Sequence, residues 1–179
     1  MTRTIYTVGH SNLAIDDFLD VLRRAGIQRL VDVRAFPGSR RHPQFGREAL
    51  AASCAAAGID YRWMPELGGR RRPTLERSPH LAWTVDAFRA YADYADTEEF
   101  ARALAELGAL AAERPTAIMC AEALWWQCHR RLIADHLLVA GWQVLHLGRD
   151  RPAEHRLPDF ARVVGGRIVY DGGTTPPLL

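Results

Sequence analysis

The chain contains no lysine: all 23 basic residues are Arg. Set against 21 acidic residues, they leave a net charge of only +2. That excludes a strongly basic nucleic-acid coat and a polybasic membrane anchor, so any preference for anions must come from local groups. Exclusive use of Arg fits a GC-rich coding bias, and it equally fits a need for guanidinium forks that grip phosphate or carboxylate with two hydrogen bonds. Cysteine is scarce as well. Three thiols, an odd number, make no disulfide framework in a chain of 179 residues. No stretch approaches the ~18 apolar residues of a membrane span. The opening MTRTIYTVGH lacks the charged start and apolar core of a signal peptide. Walker and GxGxxG patterns are absent, since Gly68-Gly69 and Gly165-Gly166 are only paired glycines, and there is no internal repeat. The expected setting is a reducing cytoplasm, without a membrane partner.

What is present is ordinary for a globular protein: 48% hydrophobic and 25% charged residues, enough to build one core. We read residues 1–179 as one domain. Thr4–Val8 is β-branched and aromatic, as a buried strand requires, and Gly9-His10-Ser11 closes it. Ile15, Phe18, Leu19 and Leu22 then recur at helical spacing, with Asp16 and Asp17 at the start and Arg23 and Arg24 at the end, where the helix dipole favours them. Leu30–Val33 is a second strand, so the first thirty or so residues form a β-α-β unit and imply a parallel sheet. A loop over Ala35–Phe45, a helix over Glu48–Ala57 and a strand over Ile59–Trp63 follow. Helices are expected over Leu81–Tyr94, Thr97–Arg114 and Cys128–Ala140, and strands over Thr116–Met119 and Trp142–Leu147. Phe160–Val164 and Arg167–Tyr170 suggest a hairpin or an edge addition. Residues 70–80 have the composition of a mobile Arg-rich loop, with closure over an anion as the functional alternative. Residues 172–179 have that of a loose tail. The fold expected is a three-layer α/β/α arrangement around a mostly parallel, Rossmann-like sheet of about five strands.

Chemistry-bearing residues concentrate in Thr116–Arg131, where an apolar run ends in Cys120, Ala121 and Glu122 and continues to Cys128, His129, Arg130 and Arg131. In an open parallel sheet, ligands bind beyond the carboxyl ends of the strands. The residues just past those ends are His10, Asp32, Arg34, Glu66, Cys120 and Glu122, joined by Cys128, His129 and Arg130 at the next helix start. A helix N-terminus near Cys128 would lower a thiol's pKa and attract an anion. Arg34, Arg40 and Arg130 are candidate anion contacts, with Asp32 and Glu66 beside them. Cys120 or Cys128 is the candidate reactive group, and His10, His129 and Glu122 are candidate proton carriers. Several have simpler readings: Asp32 as the structural partner of Arg34, Cys54 as a small core residue, and His136 as a buried histidine. The Cys120–Cys128 gap is not a CxxC spacing and no second pair exists, so we assign no metal; zinc or iron held by Cys120, Cys128 and His129 stays an alternative. A phosphatase-type or rhodanese-type loop sets its Arg closer to its Cys than Cys120 stands to Arg130.

Taken together, TVGHSN at Thr7–Asn12, VDVRAFPGSRRHPQF at Val31–Phe45, PELGG at Pro65–Gly69 and MCAEALWWQCHRRLIADHL at Met119–Leu137 resemble the family called domain of unknown function 488. The ending, with His155, Pro158 and FARVVGGRIVY at Phe160–Tyr170, is similar to that family's ending too. The resemblance implies a small cytoplasmic α/β domain whose motif positions fall on His10, Asp32, Arg34, Arg40, Glu66, Cys120, Glu122, Cys128, His129 and Arg130. It implies no activity. One departure is Ala14, where the family commonly has a Ser or Thr that caps the first helix, a difference of about 1 kcal/mol in helix stability. Residues and resemblance together point to an enzyme with an anionic, phosphate-bearing substrate such as a nucleotide or nucleic acid, of undefined cofactor. The alternative is a noncatalytic anion-binding module.

Overall fold

The computed structural model describes residues 2–73 and 76–173. The predicted tail lies largely outside them, at 174–179, as do residues 74 and 75 of the Arg-rich loop. In chain order the elements are β1 (Thr4–Gly9), α1 (Ile15–Arg24), β2 (Arg29–Asp32), α2 (Arg47–Ala56), β3 (Asp60–Trp63), α3 (Asp86–Ala95), α4 (Glu98–Glu113), β4 (Thr116–Cys120), α5 (Arg130–Val139), β5 (Gln143–His146), β6 (Ala153–Glu154), β7 (Ala161–Val164) and β8 (Arg167–Tyr170). Single 3₁₀ turns at Pro43–Phe45, Pro65–Leu67 and Trp125–Gln127 punctuate the loops.

The protein is α/β. Its main sheet has six strands in the order β3-β2-β4-β1-β5-β6, parallel except for the short antiparallel β6. Residues on alternate sides of each strand feed two separate apolar clusters. Phe18 and Leu22 of α1 and Leu50 and Cys54 of α2 meet Val8, Leu30, Ala117 and Met119 on one face. Tyr91, Phe100, Leu107, Ile133 and Leu137 of α3, α4 and α5 meet Ile5, Val31, Ile118 and Val144 on the other. Each fully buried Leu, Ile or Phe contributes about 1.5–3 kcal/mol. The central strand β4 is covered on both sides, and all five of its residues are buried, which explains an unbroken apolar run where a half-exposed strand would alternate.

Register places the chemistry. Gly9 pairs with Cys120, Asp32 with Met119 and Trp63, and Thr7 with His146, so the carboxyl ends of five parallel strands lie along one rim of the sheet.

Several sequence expectations need correction. The helix expected from Leu81 begins only at Asp86, because the preceding segment is tied to the C-terminal hairpin: the Ala82 amide donates to the Tyr170 carbonyl. The helix expected from Cys128 begins at Arg130, with Cys128 in extended backbone closing the preceding 3₁₀ turn. The mostly parallel sheet of about five strands is as expected, with the short β6 added at one edge. β7 and β8 do form an antiparallel hairpin, as a separate sheet. Ala14 is the N-cap of α1 and makes no side-chain capping bond. Among the described residues no helix is long and apolar enough to cross a membrane.

Candidate functional site

A cleft of about 1250 Å³ opens beyond the strand ends, and seven of the predicted residues line it: His10, Arg34, Arg40, Cys120, Glu122, Cys128 and His129. Asp32, Glu66 and Arg130 do not. Glu66 is exposed away from the cleft, and only its carbonyl is engaged, accepting from Arg71 and from the Tyr94 hydroxyl. Asp32 and Arg130 stand behind the wall, both fully buried.

Asp32 is the partner of Arg34. Its Oδ1 accepts from Arg34 Nε at 2.9 Å and its Oδ2 from Arg34 Nη2 at 2.7 Å, while the Tyr61 hydroxyl also donates to Oδ2. Arg34 Nη2 reaches the Phe45 carbonyl as well, leaving Nη1 facing His10 Nε2 at 3.3 Å. The Arg34 fork is therefore occupied, and only one edge of the guanidinium turns toward the cleft.

His10 is stacked on the Phe45 ring, with centroids 4.3 Å apart. Its Nδ1 lies 2.8 Å from the Ser11 carbonyl, which can only accept, so Nδ1 carries the proton and Nε2 receives Arg34. Burial, opposed by the bond to Ser11, lowers its pKa to about 4. The same reasoning fixes His129: Nε2 donates to the Val33 carbonyl at 3.0 Å, and Nδ1 presents a lone pair to Cys128 Sγ at 3.4 Å. Burial brings it, too, to about 4. Both imidazoles are neutral acceptors at neutral pH.

The two thiols line the same cleft, and each affects the other's titration. Burial pushes both up; at Cys120 the influence of the Cys128 thiol and the charge of Arg130 outweigh it, and the thiol falls below its ordinary range. Cys128 stays well above, held there by burial and by the neighbouring Cys120. The thiol whose ionised form is favoured is thus Cys120, although the first amide of α5, that of Arg130, donates to Cys128 Sγ at 3.5 Å. In its neutral form Cys120 donates to the Glu122 carbonyl at 3.7 Å.

Arg130 supplies the charge. Its side chain is 1% exposed, Nη2 donates to the Ala123 carbonyl at 3.0 Å, and Nε and Nη1 have no partner among the described residues. A buried guanidinium without its bonds is costly, and its charge acts on Cys120, Cys128, His129 and His146. Gly9 makes this arrangement possible: a Cβ there would stand 1.7 Å from the Glu122 carbonyl and 3.0 Å from Arg130 Nη1. At Gly69 a Cβ would stand 2.4 Å from His129 Nδ1. Backbone bonds from the His10 and Ser11 amides to the Cys120 and Ala121 carbonyls stitch the two loops together. Ser11, at φ 47, is the sole non-glycine with positive φ among the described residues, and such strain gathers at functional sites.

Arg41 and His42 of the 35–45 loop and Arg70 of the Arg-rich stretch also line the cleft, as do Phe36, Val85, Leu124 and Gln127, which the sequence did not single out. Phe36 is 71% exposed with Arg70 over its ring; an exposed aromatic in an Arg-rich loop was the available signal. Elsewhere in the Arg-rich stretch, Arg71 lies 3.5 Å over the Tyr94 ring and His80 is buried against Asp96. Also missed was a buried chain of hydrogen bonds, Thr7–His146–His155–Asp135–Tyr170, with links of 2.7–3.0 Å and Trp125 stacked on His146. Cys54 lies in the other layer, where burial lifts its thiol to about 12. Among the described residues, no three His, Cys, Asp or Glu side chains are grouped as metal ligands.

Comparison with curated proteins and with solved structures finds no match. A family model does match, over residues 14–137, which span α1 through the cysteine loop into α5 and more than two thirds of the chain. The chain belongs to the family described as Domain of unknown function DUF488.

Proposed function

We propose that this protein is an enzyme acting on an anionic, phosphate-bearing substrate, a nucleotide or the end of a nucleic acid, with Cys120 as the reacting thiol. The observation that carries this reading is the buried Arg130 guanidinium, with two nitrogens unpartnered among the described residues, beside a thiol that faces an arginine-lined cleft. A thiolate is the nucleophilic form of cysteine, and a fixed cation is what maintains one at neutral pH. The reaction class is thiol-dependent transfer or hydrolysis: Cys120 Sγ takes the group, and water or an acceptor removes it. The Cys128 thiol favours the thiolate, His129 orients Cys128, and His10 keeps Arg34 facing the cleft. Glu122, exposed at the mouth, is the remaining proton carrier.

The nucleotide reading rests on what surrounds the thiol. Arg40, Arg41 and Arg70 offer exposed cations for phosphate, while Phe36, Val85 and Leu124 expose apolar surface in the same cleft. A base with a π-face and a charged phosphate needs that combination. Free, unpaired thiols suit a reducing cytoplasm.

Titration with a nucleoside monophosphate and with a short single-stranded oligonucleotide across a salt series tests the reading. Affinity is expected to fall with salt, and Phe36→Ala is expected to weaken both ligands about tenfold while leaving inorganic phosphate unaffected. No binding of either at low salt would remove this substrate class.

A further inference from the structure

Strand β3 is an outer strand of the main sheet, paired with β2 on one side and, among the described residues, with no strand on the other. The Asp60 and Met64 amides donate inward, to the Gln28 and Asp32 carbonyls. Residues alternate along a strand, so Tyr61 and Trp63 turn their N–H and C=O groups outward, where they meet no partner among the described residues. An open edge of this kind pairs with another strand unless something blocks it. Here the charges beside Tyr61 select the strand. Asp60 and Arg62 share one face of β3. The Arg62 side chain is 58% exposed and donates through Nε to Asp60 Oδ2 at 3.4 Å, while Asp60 Oδ1 has no hydrogen bond among the described residues.

We propose that the partner of this edge is β3 of a second copy of the chain, antiparallel and centred on Tyr61. In that register the two Tyr61 residues exchange a pair of backbone hydrogen bonds. Each Asp60 then stands directly opposite Arg62 of the second copy, so opposite charges meet twice across the dyad. Neighbouring registers lose this fit: centred on Arg62 two guanidinium groups face each other, and centred on Asp60 two carboxylates do. The same dyad lays the two α2 helices side by side on one face of the joined sheet. Ala49 and Ala51 of α2 line a groove of about 930 Å³ with Arg47, Tyr61 and Trp63, and such small side chains let a second helix come close. The edge also bears on the cleft, because the Tyr61 hydroxyl donates to Asp32 and Trp63 Nε1 to the Arg34 carbonyl. Pairing at β3 steadies both braces.

The interface needs nothing from the thiols, so it stands or falls apart from the proposed chemistry. The test is analytical ultracentrifugation of the full chain over a concentration series, with backbone amide hydrogen exchange followed by NMR on the same samples. Wild type is expected to sediment as a dimer at the upper concentrations, with the outward Tyr61 and Trp63 amides protected like the inward Met64 amide. Arg62→Glu sets carboxylate against carboxylate on both sides of the dyad and is expected to weaken the dimer at least about tenfold. Arg102→Glu makes the same charge change on the exposed side of α4 and is expected to leave the dimer intact. The wild-type exchange pattern stands even if a variant fails to fold. A monomer at every concentration, free exchange of Tyr61 and Trp63 within a dimer, or a dimer that Arg62→Glu weakens no more than Arg102→Glu does would overturn the proposal.

Discussion

Asp32 grips Arg34 through both carboxylate oxygens, in a pair whose acid is fully buried and whose base is 8% exposed. The pair fixes the wall of the cleft, because Arg34 in turn faces His10 and the Arg34 carbonyl accepts from Trp63 Nε1. Asp32→Asn keeps the shape and removes the charge, leaving the guanidinium without its counter-ion. Breaking one side of a buried pair costs about 3–5 kcal/mol. In a domain of this size, that lowers the melting temperature by on the order of 10 °C. Thermal and urea unfolding of the variant check it, and a loss below about 1 kcal/mol would show that the pair is dispensable.

Stability is expected to fall steeply as the solution turns acid. Burial lowers His10, His129 and His136 to about 4 and His146 to about 3, whereas an unfolded histidine titrates near about 6.5. The unfolded chain therefore binds protons that the folded chain refuses, so stability rises with pH below that value. The contribution is fully present above about pH 6.5 and drains away as pH falls toward about 4. Urea midpoints at pH 7.5, 6 and 5 measure the slope; equal midpoints would contradict the neutral assignment of these rings.

Much of this was legible in the sequence, for a physical reason. Parallel strands bury both faces and announce themselves as apolar runs, and whatever polar residue follows each run must sit at the same rim. Hence His10, Arg34, Cys120, Glu122, Cys128 and His129 meet in one cleft although up to 119 positions separate them. Side-chain direction was not legible. Glu66 lies just past a strand end like the others, but the turn at Pro65–Leu67 points it outward. Arg130 reads as an anion contact by type, yet its position at the first turn of α5 carries it behind the cysteines. The chain from Thr7 to Tyr170 left no local signal at all, since its links join β1, α5, β5 and β8 across up to 139 positions.

On the proposed function, Cys120 is the ionised thiol of the cleft and Arg130 the charge that makes it so. The rate of iodoacetamide alkylation at Cys120, followed by peptide mass spectrometry from pH 5 to 9, tests it directly, in wild type and in Arg130→Met. Wild-type Cys120 is expected to be alkylated ahead of Cys128 and Cys54 and to keep its rate below the pH at which a free thiol slows. Arg130→Met, which removes one charged interaction of about 1.5–3 kcal/mol, is expected to slow it about tenfold or more at pH 6.5 while remaining folded. Equal, slow alkylation of all three cysteines, or an unchanged Cys120 profile in Arg130→Met, would contradict the account.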